Sequence, residues 1–508
     1  MILSEKNLSL IKKAEGLAIP SAALFSLPEK MLQFGTGVLL RGLPDYFIDK
    51  ANKQAVFNGR IVIVKSTSQG DTDVFNKQDN LFTQCVRGIE NGKRIDEVII
   101  NASVSRVLTA SEQWNTILAC AANPQMQIII SNTTEVGIAL LDNDNVYAAP
   151  PVSFPGKLLA FLLERYKYFN GSAESGMVII PTELITENGT KLKNIVVELA
   201  TQNKLENKFI EWIQTANDFC NSLVDRIVPG KLPGEDKAAT ESRLGFKDDL
   251  MIMSEAYRLW AIETSGKRTK EILSFSKADT GVVIADDIDK FRELKLRLLN
   301  GSHTFTCALA VQMGFTTVKQ AMEDELFCSF ITQLMLEEIV PAIVDNKVSA
   351  EDGQQFASQV IDRYKNPFIE HHWLSIALQY SSKMKMRNVP VLQQYYEKKA
   401  ITPRRMVLGF AAYLLFMKSE KNRESLFTGN AGGKKYTIND DKAAELYELW
   451  RIDNTDNFVR SVLENVNLWG INLNSLPGFG KAVTEAVNTI QTQGIGMALQ
   501  KVHAGQTI

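Results

Sequence analysis

Apolar and polar residues recur in two different periods along the first half of this chain. Leu32-Gln33-Phe34 is a short apolar run that leads straight into Gly35-Thr36-Gly37, and a helical pattern follows through Leu39, Leu43, Phe47 and Ile48. Arg60-Ile61-Val62-Ile63-Val64 is β-branched and nearly continuous, as a strand covered on both faces should be. Residues 98–107 have extended character and 114–122 are helical, while Gln127-Ile128-Ile129-Ile130 gives another buried strand ending at Ser131-Asn132-Thr133. Met177-Val178-Ile179-Ile180 repeats the form and ends at Pro181. Strands alternating with amphipathic helices predict a mostly parallel sheet, and such sheets bind ligands beyond the carboxyl ends of their strands.

Beyond about residue 290 the period changes. Segments 291–313, 318–344, 354–364, 373–380, 390–398, 404–417 and 441–452 carry helical periodicity, with Pro and Gly mainly between them. The predicted fold is an α/β domain over residues 1–285, followed by a predominantly α-helical domain over 286–508, the boundary falling between Arg243 and Asp289. Gly429-Asn430-Ala431-Gly432-Gly433-Lys434-Lys435-Tyr436 is expected to be a surface loop.

Composition narrows the function classes. With 508 residues, 45% hydrophobic and 22% charged, the chain can bury two or three cores without metals or disulfides. A net charge of −2, with both signs interspersed, lacks the basic face that a nucleic-acid partner requires. Cys85, Cys120, Cys220, Cys307 and Cys328 form no CxxC pair and read as free thiols of a reducing cytosol. The N-terminus is polar and mixed in charge, unlike a signal peptide, and the apolar runs are strand-length, short of the roughly 20 residues that span a bilayer. A cytoplasmic protein is expected, with no membrane segment, as a monomer or homodimer.

Gly35-Thr36-Gly37 stands between a strand and a helix, and a second buried strand follows at Arg60. That is the setting of a dinucleotide-binding turn: the first glycine permits the turn, and the second lets the backbone approach a pyrophosphate at the helix N-terminus. An ordinary strand–helix turn is the alternative, because Leu40 holds the third fingerprint position and Arg41 follows it. The second strand ends in Lys65-Ser66-Thr67 where an acidic residue commonly holds the ribose of NAD, and Asp71 is the nearest carboxylate. The residues alone leave NAD and NADP open.

Lys295, Asn300 and His303 carry the chemistry of the second half. On an α-helix they fall within an arc of about 140° and can converge on one pocket. Interconverting an alcohol and a ketone needs a group that takes or gives the hydroxyl proton, and donors that hold the oxygen as charge develops. A desolvated lysine serves the first task, and an asparagine amide and a histidine the second. The alternative is a solvated Lys295, an Asn300 that breaks the helix before Gly301, and a His303 in a buried hydrogen bond. The four histidines, His303, His371, His372 and His503, include no HExxH pattern, and no clustered Cys/His arrangement supports a zinc site.

Taken together, these segments resemble the polyol-specific long-chain dehydrogenase family that includes mannitol dehydrogenase. The likeness lies in Phe34-Gly35-Thr36-Gly37 with Arg41, Ser131-Asn132-Thr133-Thr134-Glu135-Val136-Gly137, Pro181 through Asn188-Gly189, Val224-Asp225-Arg226-Ile227-Val228-Pro229, and Lys295 through His303. The resemblance implies a Rossmann-type N-terminal domain, a helical C-terminal domain, NAD as cofactor and catalysis without a metal. It implies Lys295 as general acid/base, Asn188 and Asn300 as the oxyanion-stabilising pair, and His303 as an orienting group. Cofactor contacts are expected from Gly35, Thr36, Gly37, Val38, Leu39, Arg41, Asn132, Thr133 and Glu135.

A sugar-acid substrate needs its carboxylate held by a cation. Ser382-Lys383-Met384-Lys385-Met386-Arg387 supplies a basic cluster, with Lys383 the first candidate and Arg387 the second. The likeness puts tagaturonate/altronate first among substrate pairs, with fructuronate/mannonate and fructose/mannitol as rivals. A nucleotide-binding module without catalysis would predict a degraded Lys-Asn-His set, which is intact here.

Overall fold

A computed structural model describes residues 1–12, 16–66, 72–133, 137–422 and 426–506. The chain divides into two compact units, Met1–Gly88 with Arg94–Ile288, and Ile89–Lys93 with Asp289–Ile508.

The first unit is built on a six-stranded sheet. Its strands are β1 (Glu29–Phe34), β2 (Arg60–Lys65), β3 (Val104–Thr109), β4 (Ile128–Ser131), β5 (Val178–Pro181) and β6 (Asp218–Phe219). Neighbouring strands pair parallel, and the spatial order is β3-β2-β1-β4-β5-β6. The continuous apolar runs follow from burial on both sides. Leu32, Phe34, Val62, Val64, Ile129 and Ile179 enter one core with the helices Phe154–Tyr168, Asn188–Gln202 and Asn207–Ala216. Their alternates Met31, Ile61, Ile63, Ile128, Ile130, Val178 and Ile180 enter the other. Each such side chain contributes about 1.5–3 kcal/mol when fully removed from water.

Two features of this unit differ from the sequence reading. The helix after the glycine turn is interrupted: Val38–Gly42 and Pro44–Lys53 meet at Leu43, whose φ of −129° and ψ of −73° are not helical. The unit also holds two further sheets, one ordered Leu17–Ala18, Lys93–Asn101, Phe82–Glu90, Ile252–Glu255 and one ordered Ser222–Asp225, Leu259–Glu263, Val282–Ala285. Four of their strands have only four or five residues, too few for alternation to stand out, whereas Phe82–Glu90 and Lys93–Asn101 have nine each.

Helices dominate the second unit. Arg404–Phe416 is buried along most of its length, and Ser302–Gln312 and Phe479–Gln493 pack against it. Helices also continue beyond residue 452, as Thr455–Leu463, Phe479–Gln493 and Ile495–His503. The first is opened by Asn454, whose side chain accepts from the backbone N–H groups of Asp456 and Asn457. The expected loop at 429–436 is instead a hairpin, Phe427–Ala431 paired with Lys434–Thr437, its turn formed by Gly432 and Gly433 at φ +57° and +85°. Glu325–Ile343 is one stretch of 19 residues, long and apolar enough to cross a membrane by length and composition. More than half of it is buried inside the unit, and it carries Glu338, whose carboxylate accepts from the Arg405 and Met406 N–H groups; it is a core helix.

Within these helices the backbone widens at Lys295–Gly301, Leu334–Ile339 and Met384–Asn388, where the hydrogen bonds become π-helical. Such i→i+5 segments are rare and recur at functional sites.

Candidate functional site

Gly35 ends β1 with φ +129°, a conformation that an L side chain resists. A Cβ there would lie 3.1 Å from the Asn132 carbonyl oxygen, so this glycine lets the turn after β1 nest against the chain leaving β4. β1 and β4 are the strands at which the sheet order reverses, the place where parallel sheets of this order open a crevice for a nucleotide. Gly37 differs: it is exposed, and a Cβ there would meet nothing within 4 Å. Its small size leaves the backbone of residues 36–38 open to a ligand.

The other side of the crevice is set by side chains. Asn132 donates to the Thr182 carbonyl (3.1 Å) and hydroxyl (3.0 Å). The buried Glu183 carboxylate receives the Thr133 N–H (2.9 Å) and hydroxyl (3.0 Å), and the Ser131 hydroxyl (3.2 Å). Glu183 was not anticipated; its position at the end of β5, beside the Ser-Asn-Thr run, was the available signal. Val38 and Leu39 are half-buried at the start of the helix. Glu135 and Asp71 lie outside the described residues, and Lys65 is buried at the end of β2.

Two expected site residues face inward. Arg41 is 7% exposed, and its guanidinium donates to the Leu250 carbonyl (2.7 Å) between the rings of Phe75 and Phe82. It braces the turn from inside, where the sequence reading expected a cofactor contact. Asn188 is fully buried. Its amide nitrogen lies 3.0 Å from the carbonyls of Pro181, Glu183 and Ser222, and its oxygen receives the N–H groups of Gly189 and Ser222 (2.9 Å each). Two amide hydrogens shared among three carbonyls leave none for a substrate oxygen. Its side chain thus ties the end of β5 to the strand Ser222–Asp225.

In the second unit, Lys295 and Asn300 stand at the two ends of one π-helical segment, both half-buried. Five residues apart, they share a face here that an α-helix would not give them. Arg297 holds the segment in place: it pairs with Glu293 (2.9 Å) and donates to the carbonyls of Met386 (2.8 Å) and Arg387 (2.9 Å). It thus locks together the two π-helical segments that carry the expected catalytic and carboxylate-binding residues. Arg387 in turn donates to the Thr304 hydroxyl (3.2 Å), and Lys383 to the Ile376 carbonyl (2.8 Å). Neither cation has a carboxylate partner among the described residues.

His303 is buried against Tyr364 in a stacked contact, ring centroids 4.1 Å apart, with His371 and Trp373 edge-on at 5.3 and 5.7 Å. Its Nε2 has no hydrogen-bond partner. Burial, then the neighbouring His371 and the cations Arg363, Arg387 and Lys383, hold its pKa well below the usual histidine range, so it is neutral at pH 7. The Tyr364 hydroxyl donates to the Leu299 carbonyl (2.7 Å) and shares a hydrogen bond with the Ser302 hydroxyl (2.9 Å), tying the ring under His303 to the π-helical segment. Tyr364 and Arg363 had no sequence signal beyond their place at the end of a helix; His371 was visible only as half of a histidine pair.

Comparison with known proteins bears on the whole chain. Residues 29–273 match the mannitol dehydrogenase Rossmann domain and residues 287–491 the mannitol dehydrogenase C-terminal domain. The chain belongs to the mannitol dehydrogenase family. Among curated relatives, altronate oxidoreductase of Bacillus subtilis (strain 168) is 37% identical over 93% of this chain and 95% of its own. Altronate oxidoreductase of Klebsiella pneumoniae (strain 342) is 35% identical over 93% and 96%. The fold recurs in a substrate-free D-sorbitol dehydrogenase (TM-score 0.79, 19% identity, covering 98% of this chain and 100% of that one). It recurs also in Pseudomonas fluorescens mannitol 2-dehydrogenase, solved with NAD and D-mannitol (TM-score 0.66, 21% identity, covering 99% and 100%). The Rossmann-type N-terminal domain and helical C-terminal domain expected from sequence are those of the family.

Proposed function

We propose that this member of the family is an NAD-dependent oxidoreductase that interconverts D-tagaturonate and D-altronate. The observation that carries the redox reading is the glycine turn at the reversal of strand order, where Gly35 nests on Asn132 and Gly37 leaves the backbone open. The sugar-acid reading rests on relatives named altronate oxidoreductase along nearly the whole chain, together with Lys383 and Arg387, cations without a carboxylate partner among the described residues.

In this reading residues 1–285 hold the dinucleotide through Gly35, Thr36, Gly37, Val38, Leu39, Asn132, Thr133 and Glu135, while residues 286–508 hold the sugar acid. Nicotinamide bound there supplies the hydride. Lys295 gives a proton to the carbonyl oxygen in reduction and takes it back in oxidation. The Asn300 amide donates to the same oxygen as negative charge builds on it. His303, neutral and fixed by Tyr364, presents an unpartnered Nε2 that orients a substrate hydroxyl. Lys383 and Arg387 grip the carboxylate. A cytoplasmic setting, in keeping with the five unpaired thiols, completes the reading.

The test follows NADH absorbance against tagaturonate, fructuronate and fructose in parallel, for wild type and Lys295→Ala. Turnover highest on tagaturonate and lowered by about 10²–10⁴ in K295A is the expected result. Preference for fructuronate or fructose overturns the substrate while keeping the mechanism, and absence of turnover on all three overturns the function.

A further inference from the structure

His371 belongs to the same cluster but has no part in the chemistry described so far. It lies just ahead of the helix Trp373–Ile376, half-buried, and its ring makes no hydrogen bond to a described residue. Its ring and that of His303 meet in a T-shaped contact, nearly perpendicular, with centroids 5.3 Å apart. The titratable groups around it come from several elements: Arg363 near the end of the helix Ala350–Tyr364, Lys383 at the end of Tyr380–Lys383, and the neighbouring His372. On the outer side Glu370 pairs with Lys319 at 2.7 Å.

In the protein alone, burial, then Arg363, His372 and Lys383, hold the His371 imidazole below its ordinary pKa and so neutral at pH 7. Lys383 and Arg387 both sit lower than usual as well, chiefly because burial strips water from them. A carboxylate seated among these groups reverses the local field. It gives the two cations a partner, and it favours a proton on the His371 ring, which then becomes a third. A neutral polyol brings no such charge and leaves the imidazole neutral.

We propose that His371 is the residue that separates carboxylate-ended sugar acids from neutral polyols, by taking up a proton from solvent as the substrate carboxylate binds beside it, Lys383 and Arg387. This rests on the reading of the cluster as the carboxylate end of the substrate site. It predicts that affinity for a sugar acid falls as pH rises above neutrality, whereas affinity for a neutral polyol stays flat.

The experiment is calorimetric titration of the NADH-loaded wild-type protein, which cannot oxidise either alcohol, with altronate and, separately, with mannitol, at pH 7.5 in two buffers of different ionisation enthalpy. Net proton uptake with altronate and none with mannitol is expected. His371→Asn and His371→Gln should abolish the uptake and weaken altronate about tenfold, leaving mannitol within about twofold. Altronate binding without proton uptake, or uptake unchanged in both variants, overturns the proposal. The wild-type measurement needs no substitution, so a variant that fails to fold does not rescue the idea. Turnover of tagaturonate, measured alongside, separates the two levels. Turnover without uptake sinks the role of His371 alone. The absence of both turnover and altronate binding sinks the substrate reading and this proposal with it.

Discussion

Asn188 and Asn300 carry the same amide and were expected to share one task, yet their surroundings are opposite. Asn188 is sealed from solvent and meets three carbonyls and two N–H groups of its own backbone. Asn300 is half-buried at the end of a π-helical segment, on the face it shares with Lys295. An amide whose hydrogens are consumed by the fold stabilises structure, whereas an amide left at a widened helical turn is available to a ligand. Residue type was legible in both cases, and the state of satisfaction was legible in neither.

The largest expected effect breaks the comparison directly. Asn188→Ala strands the Gly189 and Ser222 N–H groups and three carbonyls in a buried place, and should lower unfolding free energy by about 3–5 kcal/mol. Urea unfolding checks it. A variant of wild-type stability but greatly reduced kcat would show that Asn188 is catalytic after all. Asn300→Ala should do the reverse, lowering kcat by about 10²–10³ with stability changed by less than about 0.5 kcal/mol. Loss of stability without loss of kcat would move Asn300 to the structural side.

The two glycines of the turn give a smaller contrast of the same kind. Gly35→Ala must hold a side chain at φ +129° against the Asn132 carbonyl, and should cost about 1–3 kcal/mol of stability. Gly37→Ala meets no protein atom, so stability should be unchanged while the Kd for NADH, read by fluorescence, rises. Equal NADH affinity in G37A would remove the close backbone approach from the argument.

Asp45 sharpens the comparison at its lower end, as a buried polar side chain in an unfavourable state. It is fully buried in Pro44–Lys53, and burial, opposed by Arg41, pushes its carboxyl up to about 8. A folded-state pKa raised above the unfolded value near 4 means that its contribution to stability is whole below about pH 4 and is lost as pH rises through about 8. Asp45→Asn should therefore stabilise the protein increasingly over that range, by about 2 kcal/mol between pH 6 and 8. A stability difference that does not change with pH would show that Asp45 is ionised in the fold.

Much of the first unit could be read directly from its residues. The runs Arg60–Lys65 and Ile128–Ser131 are buried on both faces, and only a strand between two helical layers permits that pattern. The glycine turn was legible because φ +129° excludes almost every other residue. The four- and five-residue strands of its further sheets and the hairpin at 427–437 were not, because strands this short carry too few alternations to reveal a period.

The candidate site was legible as a set of residues and illegible as an arrangement. Lys295, Asn300 and His303 stand out by type and spacing, but the spacing was read on an α-helix. Whether the backbone bonds i→i+4 or i→i+5 is decided by what holds its carbonyls, here Arg297, Tyr364 and Ser302 reaching from the same and other helices. By itself, then, the sequence determined the periods, and with them the parallel sheet, the helical half, the glycine turn and the inventory of chemical groups. Only the tertiary structure decided the π-helical register and which polar groups were used up by the fold. The register depends on partners 65 to 90 positions away in the chain and the sealing of Asn188 on one 34 away, contacts that no local pattern records.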